Sequence, residues 1–216
     1  MMDKEKCLRT IEETGVVAVI RVNNADELMD TTVALSEGGV KALEITMTSP
    51  GALDTIAQAS ARFEENAIIG VGSVLDAETA RLAITAGAKF VVSPVLKEEI
   101  VRMCKRYNIA CIPGAYTPTE ILAAWEAGGD VVKVFPATKL GPSYFKDIHG
   151  PLPHIKLTPT GGVDLTTASE FIKAGACFIG VGGALVDKKL IAAKNWSGLS
   201  ARAAQFIAAV REARRG

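Results

Sequence analysis

The chain has 216 residues, 49% of them hydrophobic, and its 24 basic and 24 acidic side chains cancel at neutral pH. This length and composition predict one compact domain, residues 1–216, and the charge balance excludes an electrostatic footprint for nucleic acid. No apolar stretch reaches the ~18 residues that span a bilayer, and the N-terminus is too charged for a signal peptide. We therefore expect a cytoplasmic protein without nucleic-acid or membrane partners.

The cysteines and histidines do not form a recognisable metal-binding pattern. The cysteines are widely spaced and mostly lie in apolar segments, which favours buried free thiols over disulfides or zinc ligands: Cys7, Cys104, Cys111 and Cys177. His149 and His154 lie in a Gly/Pro-rich connection with no carboxylate partner in view. We therefore expect no metal site.

A repeated pattern runs along the chain after a first helix that is expected from Lys4 to Glu13. A helix ends at glycine and turns directly into an apolar strand, as where Glu37-Gly38-Gly39-Val40 precedes Leu43-Glu44-Ile45. The apolar runs begin near Val16, Leu43, Ala67, Phe90, Ile109, Val131, Ile155 and Phe178. Each is followed by a segment of helical period, and Thr117-Pro118 with Glu120 fits a capping box at the start of one such helix.

Eight strand and helix units predict an α/β fold, namely a single-domain (β/α)8 TIM barrel. The N-terminal helix and a final helix from about Leu199 to Glu212 would be additions to the eight units. Continuous apolar strands, rather than alternating ones, indicate a sheet that is covered on both faces. A doubly wound open sheet is the alternative fold.

The C-terminal ends of the strands supply the first candidate site residues, because chemistry in this fold lies at that face. In chain order these candidates are Arg21, Ser73, Pro94, Thr160, Gly161, Gly162, Gly182 and Gly183. The glycines after strands seven and eight open onto helices, so their backbone N–H groups can hold an anion at the usual phosphate position of the fold. Tight turns without a ligand are the alternative interpretation.

Lys133 lies in the middle of an apolar strand, Asp130–Pro136. Burial lowers the pKa of a lysine and turns its ammonium into a nucleophilic amine that can condense with a ketone. The alternative is a lysine that reaches water at the barrel mouth or pairs with one carboxylate. Phe135, on the same face of the strand, is either a contact for the substrate carbon chain or a core residue.

Glu44 is the second charged residue in an apolar strand, and the period of two places it on the same face as Ala42 and Thr46. One interpretation is a structural ion pair between Glu44 and Lys133. The other uses both groups in chemistry, with the amine as nucleophile and the carboxylate as proton shuttle. We favour the second interpretation because buried ion pairs are often replaceable by apolar residues without loss of stability.

These residues resemble the 2-keto-3-deoxy-6-phosphogluconate (KDPG) and 4-hydroxy-2-oxoglutarate (KHG) aldolases over nearly the whole chain. The most specific segments are Glu44-Ile45-Thr46, Gly70–Leu75, Ile112-Pro113-Gly114, Lys133–Ala137 and Pro159–Val163. The resemblance implies a class I aldolase without metal or cofactor, usually a homotrimer, that acts on a 2-keto acid. It also implies Lys133 as the Schiff-base lysine, Glu44 as general acid and base, Ser73 at the pyruvate carboxylate, and the four glycines at the phosphate.

Two departures from the family pattern concern the substrate. Classical members carry an arginine just after strand two, where this chain has Thr48, and we expect Arg21 to supply the missing charge. The stretch Thr48-Ser49-Pro50 also resembles the 6-phosphogalactonate aldolases. Ala184 replaces a serine of some members, which removes one hydroxyl contact to phosphate.

Three functions from different classes follow from the sequence. The first is a Schiff-base aldolase that releases pyruvate. The second is a sugar-phosphate isomerase or epimerase on the same barrel, in which Lys133 only pairs with charge. The third is a barrel without catalytic activity that serves in assembly.

Overall fold

A computed structural model describes residues 3–64 and 66–215 and shows an α/β fold in which parallel strands alternate with helices. Within those residues the strands are β1 Val16–Ile20, β2 Ala42–Thr46, β3 Ile68–Gly72, β4 Phe90–Val92, β5 Ala110–Ile112, β6 Gly114–Ala115, β7 Val132–Val134, β8 Leu157–Pro159 and β9 Ile179–Val181. Each predicted strand is present. The predicted fifth strand is divided into β5 and β6 at Pro113.

The helices fill the connections between the strands. They are α1 Lys4–Thr14, α2 Ala25–Glu37, α3 Ala52–Phe63, α4 Ala77–Thr85, α5 Glu98–Arg106, α6 Pro118–Glu126, α7 Gly141–His149, α8 Ala168–Lys173, α9 Lys188–Ala192 and α10 Trp196–Ala213. The predicted capping box is confirmed at α6, where the Thr117 hydroxyl accepts from Glu120 N and the Glu120 carboxylate accepts from Thr117 N. The first and last helices also lie where the sequence predicts them.

The strands pair in parallel as two sheets. The larger sheet is a curled half-barrel in the order β5-β4-β3-β2-β1-β9, and the smaller has the order β6-β7-β8. A bridge joins Thr160, the residue after β8, to Gly180 in the middle of β9, and Lys133 N donates to Pro113 O at 2.9 Å. The order follows the chain without the central reversal of a doubly wound sheet, so the alternative fold is not supported.

The inner face of the strands is arranged in layers, because alternate residues of a strand point the same way. The lower layer is apolar and is covered by Cys7 and Ile11 of α1. Its strand residues include Val17, Ala42, Ile68, Phe90, Ala110, Val131 and Phe178. Two residues further along, the same face carries Glu44 on β2, Gly70 on β3, Lys133 on β7 and Gly180 on β9. The apolar layer and α1 therefore place the polar inner positions near the C-terminal ends of the strands.

Asp130 forms hydrogen bonds to neighbouring elements below this layer, at the N-terminal ends of the strands. One oxygen of its carboxylate accepts from Lys4 Nζ at 2.7 Å, and the other accepts from Cys111 N at 2.9 Å. Its own N–H donates to Cys111 O. The residue thus connects α1, β5 and the start of β7.

The remaining sequence predictions for the fold concern thiols and membrane spans. All four cysteines are free; three are buried and Cys177 is half-buried, which confirms the prediction of free thiols. Burial raises the pKa of the Cys7 thiol to about 12. None of the described helices is long and apolar enough to cross a membrane.

We expect Asp130→Ala to lower the free energy of unfolding by about 1–3 kcal/mol, because it leaves the Cys111 N–H without its acceptor in a largely buried position. The control is Lys4→Ala, which breaks only the partly exposed ion pair and is expected to cost about 1 kcal/mol or less. Urea denaturation of the three proteins measures the difference. Equal losses for the two variants would contradict the role given to the backbone contact.

Candidate active site

A cavity of about 640 Å³ lies at the C-terminal ends of the strands and brings the sequence-predicted site residues together. All eleven line it: Arg21, Glu44, Ser73, Pro94, Lys133, Phe135, Thr160, Gly161, Gly162, Gly182 and Gly183. They come from seven strands or the turns that follow them. The period of two explains this convergence, since Arg21 continues the inner face of β1 and Phe135 that of β7.

Lys133 is 5% exposed in the middle of β7. Its register partners are Gly114 on β6 and Thr158 on β8, two small residues that leave room for the long side chain. The Nζ atom lies 4.8 Å from the centre of the Phe135 ring. Burial lowers the pKa of Lys133, and the nearby Arg21 guanidinium lowers it further, while Glu44 opposes the shift. The environment therefore shifts Lys133 toward the neutral amine.

Glu44 is 3% exposed on β2 and faces the same cavity. Burial raises the pKa of its carboxyl, against the attraction of Lys133 and Arg21. No contact at ion-pair distance joins Glu44 to Lys133 among the described residues, so the structural ion pair considered from the sequence is not formed. The amine and the carboxyl instead both line the same cavity.

The carboxyl group of Glu44 lies directly over the backbone of Gly72 on β3. A Cβ atom at position 72 would overlap Glu44 Oε1, so only glycine leaves space for the carboxyl there. At Gly70, two residues earlier, the absent side chain leaves space for the Phe90 ring instead. Gly72 thus leaves space for a side chain of the site, and Gly70 leaves space for a side chain of the core.

Arg21 and Ser73 meet at one end of the cavity, where Arg21 Nη2 donates to Ser73 Oγ at 3.3 Å. Thr48 is exposed and does not line the cavity, and its hydroxyl lies 3.1 Å from that of Thr46. Ser49 Oγ accepts from Val22 N at 3.2 Å, which ties the turn after β2 to the end of β1. The local hydroxyl contacts thus fix the backbone next to Arg21, while position 48 offers no contact to the cavity.

The two glycine turns line the part of the cavity that follows β8 and β9. Gly161 and Gly162 have φ values of 88° and 74°, in the left-handed region that favours glycine, and a Cβ at Gly162 would lie 2.7 Å from Thr138 Cα. A Cβ at Gly182 or Gly183 would meet nothing within 4 Å. The backbone of the second turn therefore borders open space, as a turn that receives a ligand requires.

Six further residues line the cavity that the sequence did not single out as site residues: Val19, Val163, Asp164, Ala184, Val186 and Lys188. Asp164 accepts hydrogen bonds from Thr166 N and Thr167 N, both at 2.9 Å, and these bonds with that from the Thr166 hydroxyl lower its pKa. Asp164 and Lys188, the two charged residues among these six, follow the glycine turns in the sequence. Including a few more residues after each strand in the list of candidates would have found them.

The chemistry available to this arrangement follows from its charges. A neutral amine can add to a carbonyl carbon, and a carboxyl of raised pKa in the same cavity can give and take protons. Among residues 3–64 and 66–215, no group of three His, Cys, Asp or Glu side chains is placed to hold a metal ion. The arrangement fits an enzyme that works through a covalent adduct on the amine.

Comparison with known proteins assigns the chain to a family. The sequence model of the family described as KDPG and KHG aldolase matches residues 8–201. The chain belongs to this family, and the protein is a lyase of the aldolase class. The 2-dehydro-3-deoxy-phosphogluconate aldolase of Haemophilus influenzae is 34% identical over 193 residues, which cover 89% of this chain and 91% of the relative. The 2-dehydro-3-deoxy-6-phosphogalactonate aldolase of Escherichia coli is 31% identical, covering 92% and 95%.

Solved structures agree with the family assignment. A structure described as native KDPGal has a TM-score of 0.85 at 29% identity and covers 93% of this chain and 96% of its own. The KDPG aldolase of Legionella pneumophila, solved with pyruvate captured as a covalent carbinolamine intermediate, has a TM-score of 0.82 at 27% identity, covering 88% and 92%. The resemblance seen in the sequence is confirmed at the level of the family.

We expect Lys133→Met to raise the free energy of unfolding by about 1–2 kcal/mol at neutral pH, because it removes an amine whose charged form is penalised by burial. The pKa of Lys133 is lower in the folded chain, so the gain should be largest at low pH and shrink as the pH approaches the ordinary lysine pKa. Thermal unfolding across pH measures it.

The control for this experiment is Lys156→Met, which removes a lysine that is 48% exposed and pairs with Glu12 at 2.6 Å. This change is expected to alter stability by about 1 kcal/mol or less, without a gain at low pH. A Lys133→Met protein that is less stable than the wild type would contradict the account of the buried amine.

Proposed function

We propose that this protein is a class I aldolase that cleaves KDPG to pyruvate and glyceraldehyde 3-phosphate, with 4-hydroxy-2-oxoglutarate as a second substrate that gives pyruvate and glyoxylate. The observation that carries the proposal is the buried Lys133 amine of lowered pKa, which shares a cavity with the buried Glu44 carboxyl. Membership of the KDPG and KHG aldolase family supports the same reaction.

In the proposed mechanism, Lys133 is the nucleophile. Its neutral amine attacks the C2 ketone, and loss of water together with uptake of one proton leaves an iminium that accepts the electrons released when the C3–C4 bond breaks. The iminium nitrogen takes over the work of an electron sink, so the step needs no cofactor. Burial favours this course, because it shifts Lys133 toward the neutral amine before the attack.

Glu44 is the proposed acid and base. It takes the proton of the C4 hydroxyl as the aldehyde leaves and returns a proton to C3 of the enamine, after which hydrolysis releases pyruvate. Positioned proton transfer of this kind accelerates a reaction by ~100- to 10,000-fold. The raised pKa of Glu44 suits a group that must be protonated in one step and ionised in the other.

Two groups of cavity residues are proposed to bind the two charged ends of the substrate. Arg21 with Ser73 would hold the pyruvate carboxylate, which suits the bidentate geometry of a guanidinium. The N–H groups of the two glycine turns and the Thr160 segment would hold the phosphate. Pro94 and Phe135 would pack against the carbon chain between them.

Three further proposals concern the whole molecule. We propose that the described strands form one closed eight-stranded barrel, in which β5 and β6 are one strand and the bridge from Thr160 to Gly180 closes the circle. We also propose a single domain over residues 1–216 that forms a homotrimer in the cytoplasm. Leu75, Val95 and Tyr116 are exposed on consecutive strand-end loops and would suit a subunit contact, and light scattering of the purified protein measures the assembly.

A second candidate substrate is 2-keto-3-deoxy-6-phosphogalactonate, which differs from KDPG at C4. The observation that favours it is Thr48, which replaces an arginine and leaves the carboxylate end to Arg21. Relatives named as phosphogalactonate aldolases support it as well. The two substrates make the same demands on Lys133 and Glu44.

The test is pyruvate release, followed through lactate dehydrogenase, with KDPG and its C4 epimer in parallel. We expect turnover of KDPG and at least a 1,000-fold loss in Lys133→Ala, since the residue forms the covalent intermediate (roughly 4 kcal/mol). A higher kcat/KM for the epimer would select the second candidate. Pyruvate release from neither compound would overturn the proposed function.

We expect Arg21→Ala to raise KM by about 10- to 100-fold with a smaller change in kcat, because it removes a charge-assisted contact to the carboxylate. Arg21→Lys should lie between the wild type and the alanine variant, since lysine keeps the charge and loses the bidentate geometry. Steady-state kinetics at fixed pH provide the measurement. An unchanged KM in Arg21→Ala would rule out this role.

We expect Gly72→Ala to lower kcat by at least about 10-fold, because the new methyl group displaces the carboxyl that transfers the protons. Gly70→Ala is the matched control on the same strand; its methyl group meets Phe90 in the core and should cost stability rather than kcat. The pH profile of kcat and the melting temperature are measured together. Equal kcat values for the two variants would refute the link between Gly72 and Glu44.

A further inference from the structure

Lys188 is a charged residue of the cavity that the proposed mechanism does not yet use. It is the first residue of α9 and lies five positions after Gly183, on the segment that follows β9. It also lines an adjoining cavity of about 330 Å³, which shares Arg21 and Lys188 with the main one. Lys188 therefore stands beside the second glycine turn, where the two cavities meet.

The charge of Lys188 has no partner among the described residues: no ion pair or side-chain hydrogen bond engages it. The neighbouring carboxylate of Asp187 is already occupied, since it accepts from Lys189 N at 2.8 Å and pairs with Arg202 at 2.9 Å. A cation without a partner beside backbone donors is available for an anionic ligand.

The charges beside the glycine turns favour such a cation for an anionic ligand. Asp164 lies on the rim beside the first glycine turn and is held ionised by its hydrogen bonds to Thr166 and Thr167. A phosphate dianion at the turns would be repelled by this carboxylate. Arg21 also lines the adjoining cavity, but it already donates a hydrogen bond to Ser73, and Lys133 must be neutral to react. Lys188 is the remaining cation of the lining.

We propose that Lys188 binds the substrate phosphate and sets the preference for phosphorylated substrates. The inference rests on the proposed function, since it assigns a residue to the phosphate end of that same site. The backbone N–H groups of Gly182 and Gly183 orient the phosphate oxygens, and the ammonium supplies the charge that offsets Asp164. Ala184 has no hydroxyl, so the contact that a serine would make there is replaced by a stronger, charged one.

The test compares Lys188→Gln with Lys189→Gln, a matched control because Lys189 is the next residue, is exposed, and lines neither cavity. Each protein is assayed with KDPG and with its unphosphorylated analogue, 2-keto-3-deoxygluconate. We expect Lys188→Gln to lower kcat/KM for KDPG by about 10- to 100-fold and to leave the analogue within about twofold. Lys189→Gln should match the wild type, and Lys188→Arg should restore most of the KDPG activity.

A loss in Lys188→Gln that is equal for the two substrates, or no loss, would overturn the inference. Binding of inorganic phosphate, measured by calorimetry on the wild type and on Lys188→Gln, gives a second readout that does not depend on turnover. Weaker phosphate binding in the variant supports the assignment even where neither sugar acid is cleaved, and in that case the proposed function alone has failed. Equal phosphate affinities would overturn the assignment.

Discussion

The burial of one amine, that of Lys133, is the constraint on which the site depends. An ammonium in an apolar strand is unfavourable, and burial lowers its pKa, which shifts Lys133 toward the neutral, nucleophilic form. The same burial raises the pKa of Glu44 across the cavity, so one environment prepares both groups in opposite directions. Neighbouring residues are small where these two side chains need room, as at Gly72 and Gly114.

The parallel strands place the apolar core and the substrate-binding residues at different levels of the fold. The apolar lower layer and α1 fill the interior, and the reactive groups lie one step above on the same inner face. The groups proposed to bind the carboxylate and the phosphate lie further out, at strand ends and turns. Because the turns vary without disturbing the strands, one reaction can serve substrates that differ in stereochemistry or charge. Thr48, Ala184 and Lys188 all lie in the segments that follow the strands.

Local patterns in the sequence predicted the strands and the eleven candidate site residues, because apolar runs, glycine turns and the period of two are short-range features. The division at Pro113 was not predicted, since it depends on how Lys133 N pairs with the carbonyl there. Lys188 was missed because its position depends on the path of the chain after β9. The distance between Glu44 and Lys133 was also not predictable, because the sequence pattern shows which face of a strand a side chain occupies but not how far apart two side chains on different strands lie. The closed barrel stays a prediction.

Reduction of the complex with pyruvate by sodium borohydride, followed by peptide mass mapping, tests the central claim most directly. The account predicts one carboxyethyl adduct, on Lys133, because burial shifts this amine toward its neutral, nucleophilic form, whereas an exposed lysine such as Lys156 stays unmodified. A Schiff-base aldolase of known activity, treated in parallel, serves as the positive control. An unmodified Lys133 under conditions that trap the control would contradict the account and favour a role in charge pairing.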